Sequence, residues 1–221
     1  MIFLLIGSLQ AVKAQKSSEI ETKTKGLTKY TGYFNFYWNE KTGQVFLEVD
    51  RLNDEFLYVN SLPAGVGSND LGMDRGQIGN SRIVKFIKIG NKVLLVQPNY
   101  NYRAVSNNPN ERKSLEEAFA QSVIYGFTAE AGDSSHVFIH LTHFLLRDSH
   151  GIARKLSNSN QGNYHADESR SAIYMPNTKS FPDNSEFEAI ITLAGTGIGS
   201  EISSVTPDAD YVTVRMHHSC I

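Results

Sequence analysis

The sequence predicts a mainly β fold of the α+β kind, with antiparallel sheets of about ten strands and one or two short helices. Three observations carry this. Apolar residues alternate with polar ones at period two, as in Val45, Leu47 and Val49 against Gln44, Glu48 and Asp50. Turn residues such as Gly90-Asn91 and Pro98 punctuate the apolar runs. One stretch alone, around Ser114-Leu115-Glu116-Glu117, switches to clear helical spacing.

The aromatic-rich segment 30–38, holding Tyr33, Phe34, Phe36, Tyr37 and Trp38, is the first expected strand. A glycine-bearing loop at 39–43 leads into the alternating strand at 45–49. Residues 56–62 and 82–89 give the third and fourth strands, and 92–97 the fifth. The two arms about Gly90-Asn91 form the clearest hairpin, and Pro98 ends it because proline cannot donate to a ladder. A helix is expected over 115–122, with Ser114 as N-cap and Glu117 completing a capping box. Further strands are expected at 123–129, 137–141, 172–175, 186–194 and 211–216. Residues 156–170 read as a surface loop and 195–200 as a glycine-rich link.

The chain has 221 residues, 40% of them hydrophobic and 20% charged, so it can bury a substantial core. Its formal net charge is −2 and its Lys and Arg are scattered. That leaves no basic footprint for nucleic acid and no run suited to a membrane surface. Residues 1–14, with Ile2, Phe3, Leu4, Leu5 and Ile6 ahead of Val12-Lys13-Ala14, have the pattern of a signal peptide cut after Ala14. Export to the periplasm, the outer membrane or the outside is therefore expected, with no membrane span left after cleavage. Residues 15–29 read as a flexible lead-in and 30–221 as a single β-rich domain. Cys220 is the only cysteine, so neither an internal disulfide nor a cysteine-based metal site can form.

The stretch between the third and fourth strands, 63–80, is long for a strand connection and carries five glycines. Its polar residues Asp70, Asp74, Arg75 and Gln77 make it the candidate domain-contact loop. Glycine there permits positive φ or close approach to another surface, and Arg75 offers a bidentate pair to a carboxylate.

Chemistry-bearing residues are present without a catalytic pattern. His136, His140 and His143 would share a helical face, but 136–140 is strand-like in composition. On a strand His136 and His140 stand about 13 Å apart, too far for one metal ion. His217 and His218 point to opposite faces of a strand. Asp148, Ser149 and His150 resemble triad residue types, yet a triad is assembled in space rather than from sequence neighbours. No HExxH, GxSxG or phosphate-cradling motif occurs. No catalytic, cofactor or metal residue is assigned.

Several blocks in order resemble a known family. They include GYFNFYWNEKTGQVFLEV, EFLYVNSLPAGVGSNDLGMDRGQIGNSRIVKF, NKVLLVQPNYNYRA, SLEEAFAQSV, HFLLRDSHGIAR, SRSAIYMPNTKSFPDNSEFEA and VTVRMHHS. Together they resemble the domain of unknown function that precedes the catalytic domain in exported zinc-dependent metalloproteases common in Bacteroidetes, over roughly residues 27–219. The resemblance implies a non-catalytic scaffold or accessory role beside a metzincin-like domain. Zinc is then expected in that further domain, held by an HExxH-type helix, and none in this stretch. The partner implied is that C-terminal metalloprotease domain of the same chain, and the chain is expected to run on past Ile221. A different class of role, a free extracellular binding module for peptide or glycan, would use the exposed aromatics near Tyr100, Tyr102 and the 63–80 loop.

Overall fold

The computed structural model describes residues 19–102 and 105–221. The expected signal peptide lies outside the described residues. Residues 19–24 are helical (α1). Strands β1 (Thr28–Tyr30), β2 (Asn35–Asn39), β3 (Gln44–Val49), β4 (Glu55–Ala64), β5 (Gln77–Ile89) and β6 (Lys92–Gln97) follow. Helix α2 (Pro109–Ala118) precedes β7 (Ser122–Gly132) and β8 (Val137–His140). Two short helices, α3 (Thr142–Leu145) and α4 (Ile152–Asn158), lead to β9 (Gly162–Ala166), β10 (Ala172–Ile173), β11 (Lys179–Ser180) and β12 (Ser185–Gly197). Helix α5 (Ser200–Val205) and β13 (Tyr211–Cys220) complete the chain.

Among the described residues thirteen strands form one antiparallel sheet, in the order β1-β2-β3-β8-β7-β6-β5-β4-β13-β12-β10. Strands β9 and β11 pair with β12 beside that path. The sheet curls back on itself. Phe34 N–H donates to Ser185 Oγ (2.9 Å), Ser180 Oγ donates to the Phe34 carbonyl (2.7 Å) and Tyr33 N–H donates to the Phe181 carbonyl (2.6 Å). These bonds bring the start of β2 against β11 and β12, so the body is nearly a barrel.

Period two fills its inside. Phe56, Tyr58 and Leu62 of β4 are buried, as are Val84 and Phe86 of β5, and Phe187, Ala189, Ile191 and Leu193 of β12. Edge-to-face pairs Phe34–Phe56, Phe34–Phe86 and Phe36–Phe187 knit the centre, with ring centroids 5.3, 5.9 and 5.2 Å apart. The void left among Phe56, Phe86, Phe127 and their neighbours is about 20 Å³, room for one water. Residues 141–156 close one mouth by burying Leu141, Phe144, Leu145, Ile152 and Leu156.

The predicted fold class holds, and several boundaries differ for physical reasons. The N-cap of helix α2 lies six residues before the expected one. Asn108 is the cap, its side chain accepting from Asn110 N–H, and Pro109 stands at the first helical turn with φ already set. Strand β5 starts at Gln77, so the expected 63–80 loop contracts to 65–76. Gln77 and Ile78 have partners in Leu62 and Ser61, which a loop reading had left unpaired. The expected surface loop 156–170 holds the end of α4 and all of β9. Polar β9 can join the sheet because Gly195 of β12 lets it come close: a Cβ there would stand 2.1 Å from the Asn163 carbonyl oxygen. The described part of the expected flexible lead-in is helix and strand, because Ile20 inserts against Tyr37, Ala131 and Phe138 on the outer side of the sheet. Gly90, at φ +59°, takes the place where a two-residue type II′ hairpin turn wants glycine.

Candidate functional site

The loop 65–76 is polar in composition but has a buried underside. Val66, Leu71 and Met73 join the main core, and Met73 is fully buried. Its two arms are laced by Val66 N–H to the Met73 carbonyl (2.8 Å), Met73 N–H to the Ser68 carbonyl (3.1 Å) and Gly76 N–H to the Leu62 carbonyl (2.7 Å). Ser68 Oγ accepts from Leu71 N–H (3.2 Å) and donates to Glu201 of α5 (2.7 Å). At Gly65 a Cβ would lie 2.1 Å from the Met73 carbonyl oxygen, so only glycine lets the arms meet this closely. The close approach foreseen for the loop's glycines thus serves the loop itself.

The four predicted contact residues divide. Asp70 and Arg75 face solvent. Asp74 and Gln77 are half-buried and bonded to each other, Gln77 Nε2 donating to Asp74 Oδ1. The loop therefore presents one acid and one guanidinium outward from an anchored base.

Beside the loop runs a polar relay that no sequence motif signals. Lys155 Nζ donates to the Gly72 carbonyl (3.2 Å) and to His150 Nε2 (3.0 Å). His150 Nδ1 meets Asn60 Oδ1 (3.2 Å), and Asn60 Nδ2 donates to the Ser149 carbonyl (2.9 Å). This pattern fits a neutral imidazole with its proton on Nδ1. Burial, and then the neighbouring Lys155 charge, hold the His150 pKa below its ordinary value. Burial also lowers Lys155. Gly79 makes room for the relay, since a Cβ there would stand 1.8 Å from Asn60 Oδ1. The residues involved lie far apart in sequence, so only a spacing-independent view could have found them.

The triad-type residues are occupied otherwise. Asp148 caps α4, accepting from Ile152 N–H and Ala153 N–H (2.8 Å each). Ser149 Oγ is buried and is not bonded to His150. The three spaced histidines turn to three partners: His136 to Glu48, His140 to Thr142 Oγ1 (3.0 Å) and His143 to Glu168 (3.0 Å). Among the described residues no three His, Cys, Asp or Glu side chains gather as a metal site.

The most perturbed carboxylate is Glu48, in an open cleft between α1, β3 and the β7–β8 turn. Its Oε2 accepts from Asn35 Nδ2 and Tyr37 Oη (3.0 Å each), with Lys29 Nζ 3.5 Å away. His136 Nε2 lies 2.8 Å from Oε1, close but off the line of a good hydrogen bond. Burial alone would raise this acid. The His136, Asn35, Lys29 and Tyr37 contacts outweigh it and hold the pKa at about 2. The same contact raises His136. Its partners come from β1, β2 and the residue just ahead of β8, which makes the cluster a clamp of β1 onto the sheet rather than a poised acid.

Fold and site together define a packed, nearly closed antiparallel body whose loop and clefts lie on the outside. The chain belongs to the family described as Domain of unknown function (DUF5117), whose model matches residues 76–221, and residues 18–65 match Domain of unknown function (DUF5118). No curated protein and no solved structure matches the chain. The two matched stretches interleave. β3 of the 18–65 stretch pairs with β8 of the 76–221 stretch, and β4 of the former lies between β5 and β13 of the latter. Among the described residues no helix is long and apolar enough to cross a membrane.

Proposed function

We propose that this chain is the non-catalytic scaffold module of an exported zinc-dependent metallopeptidase, and that its 65–76 loop meets a metzincin-like catalytic domain. The observation that carries the reading is the filled interior. A body whose central void is about 20 Å³ works through its outer surface. The loop is the part of that surface best built to present charge, with Asp70 and Arg75 outside and Met73 locked beneath. Its anchoring to α4 and α5 through Lys155 and Glu201 makes it a firm support, which lowers the ordering cost of docking. Zinc and its ligands belong, on this reading, to the catalytic domain, and a cleaved signal peptide directs export.

Reading the gene beyond the Ile221 codon and assaying the whole product tests this. The expected result is a continuing frame that encodes an HExxH helix, with chelator-sensitive proteolysis by the whole product and none by residues 15–221 alone. A stop codon directly after Ile221, or chelator-sensitive casein cleavage by residues 15–221, would overturn it.

A further inference from the structure

On the outer face of the sheet, away from the 65–76 loop, α2 and the segment 98–102 stand over β5 and enclose a groove of about 410 Å³. Its floor is Ile87 with Pro98, and Leu115 of α2 continues it. One wall is a stacked aromatic pair, Tyr102 on Phe119, with centroids 3.7 Å apart. Tyr100 forms the rim beside it, its hydroxyl donating to Glu55. Asn99 Nδ2 donates to the Ala120 carbonyl (3.1 Å) and ties the two sides together at one end. The groove is thus a built feature with bonded walls.

Its chemistry is one-sided. Lys85 and Arg112 are the cations of its described lining, which holds no carboxylate. Glu55, the cross-strand neighbour of Lys85, is turned to the Tyr100 hydroxyl. An occupant must therefore bring negative charge to Lys85 and Arg112 and apolar matter to Ile87, Leu115 and the aromatic wall. A sugar chain would find aromatic faces, but its hydroxyls would find no hydrogen-bonding partner on the Ile87–Pro98–Leu115 floor. Two cations are too few to hold a nucleic acid backbone against salt. We infer that this groove binds an acidic peptide segment, one that alternates carboxylate side chains with aliphatic or aromatic ones. The carboxylates pair with Lys85 and Arg112 while an apolar side chain lies between Leu115 and the Tyr102–Phe119 wall.

Fluorescence anisotropy with two synthetic pentapeptides tests the inference on the full chain. One alternates glutamate with leucine and phenylalanine, and the other carries glutamine in place of glutamate. The acidic peptide is expected to bind roughly tenfold tighter, since it gains two partly exposed charge pairs. Lys85→Gln and Arg112→Gln should each cost it up to about fivefold and leave the neutral peptide unchanged. Tyr102→Ala should weaken both peptides by removing the wall. Each variant is first checked by its melting temperature. Should Tyr102→Ala melt early, the two charge variants, on partly exposed positions, still decide the matter. Equal binding of the two peptides, or acidic-peptide binding that ignores both charge variants, would overturn the inference. So would tighter binding of a uronate oligosaccharide than of the acidic peptide.

Discussion

His217 and His218 are neighbours on β13, and the two faces of the sheet treat them in opposite ways. On the inner face His218 is completely buried beside Phe144, with Nδ1 2.7 Å from Tyr58 Oη. Burial, and then the nearby His217 charge, push its pKa down to about 3. On the outer face His217 stands between two carboxylates, 2.6 Å from Glu186 and 3.5 Å from Glu188. The Glu186 contact raises its pKa despite partial burial. Glu186 is in turn pulled down, since His217, Ser219 and Asn184 together outweigh its own burial. Glu188 is 2% exposed and also faces Arg215 at 3.2 Å, which itself lies over the Tyr174 ring. The same side chain is thus a neutral packing piece on one face and half of a charged network on the other. The inner face excludes charge and holds the body together, while ionic chemistry is kept to the outer face and the clefts.

Cutting the chain should separate the two faces most severely. The inner face is assembled from both family-matched stretches, whereas Glu186, Glu188, Arg215 and His217 all lie within 76–221. Residues 76–221 made alone lack β4, so β5 and β13 each lose a ladder and Phe56, Tyr58 and Leu62 leave the core. Each lost large side chain is worth about 2–5 kcal/mol, against a total stability of roughly 5–15 kcal/mol. We expect this piece to show poorly dispersed amide NMR signals and no cooperative melt, and adding residues 15–75 in trans should restore dispersion and a cooperative melt. A cooperative melt of 76–221 alone would show that the inner face is not shared in the way described.

The next effect is one of slope. For His218 the folded pKa lies below the unfolded value of 6.5, so the unfolded chain takes up the proton first as pH falls. This group therefore erodes stability from about pH 6.5 toward 3, by up to about 1.4 kcal/mol per pH unit. For His217 the folded pKa is raised, so its contribution is fully present below 6.5 and is lost as pH rises through the folded pKa. Urea midpoints measured from pH 4 to 9 should separate the two. His218→Gln should flatten the acid limb, and His217→Gln should lower stability below pH 6 and converge on the parent at alkaline pH. Identical pH profiles for the two variants would break the contrast between the faces.

The smallest effect is expected at the contact loop. Asp70→Ala with Arg75→Ala removes the two solvent-facing groups and leaves Val66, Leu71 and Met73 in the core. Surface changes of this kind cost about 0.5 kcal/mol or less. The melting temperature of this chain should move by no more than a few degrees, while under the proposed scaffold role its docking in the whole gene product should weaken and expose the junction to limited proteolysis. If the chain itself unfolds, the loop is structural only.

The sequence alone determined the mainly β class, the Gly90-Asn91 hairpin and which residues of β3 face inward, because these are local matters of period, turn chemistry and apolar patterning. It also singled out the loop's glycines and placed His217 and His218 on opposite faces. It did not find β9, whose polar residues join the sheet only because Gly195 of a distant strand gives them room. Nor did it find the underside of the loop, where Leu71 and Met73 look like isolated apolar residues in a polar run until a core is present to receive them. The Asn60–His150–Lys155 relay, the Glu48 clamp and the groove under α2 were likewise decided by tertiary structure. Each joins residues from elements separated in sequence, and their pairing depends on which strands lie side by side. Strand order is a global choice made by the closing of the sheet, and local pattern carries no record of it.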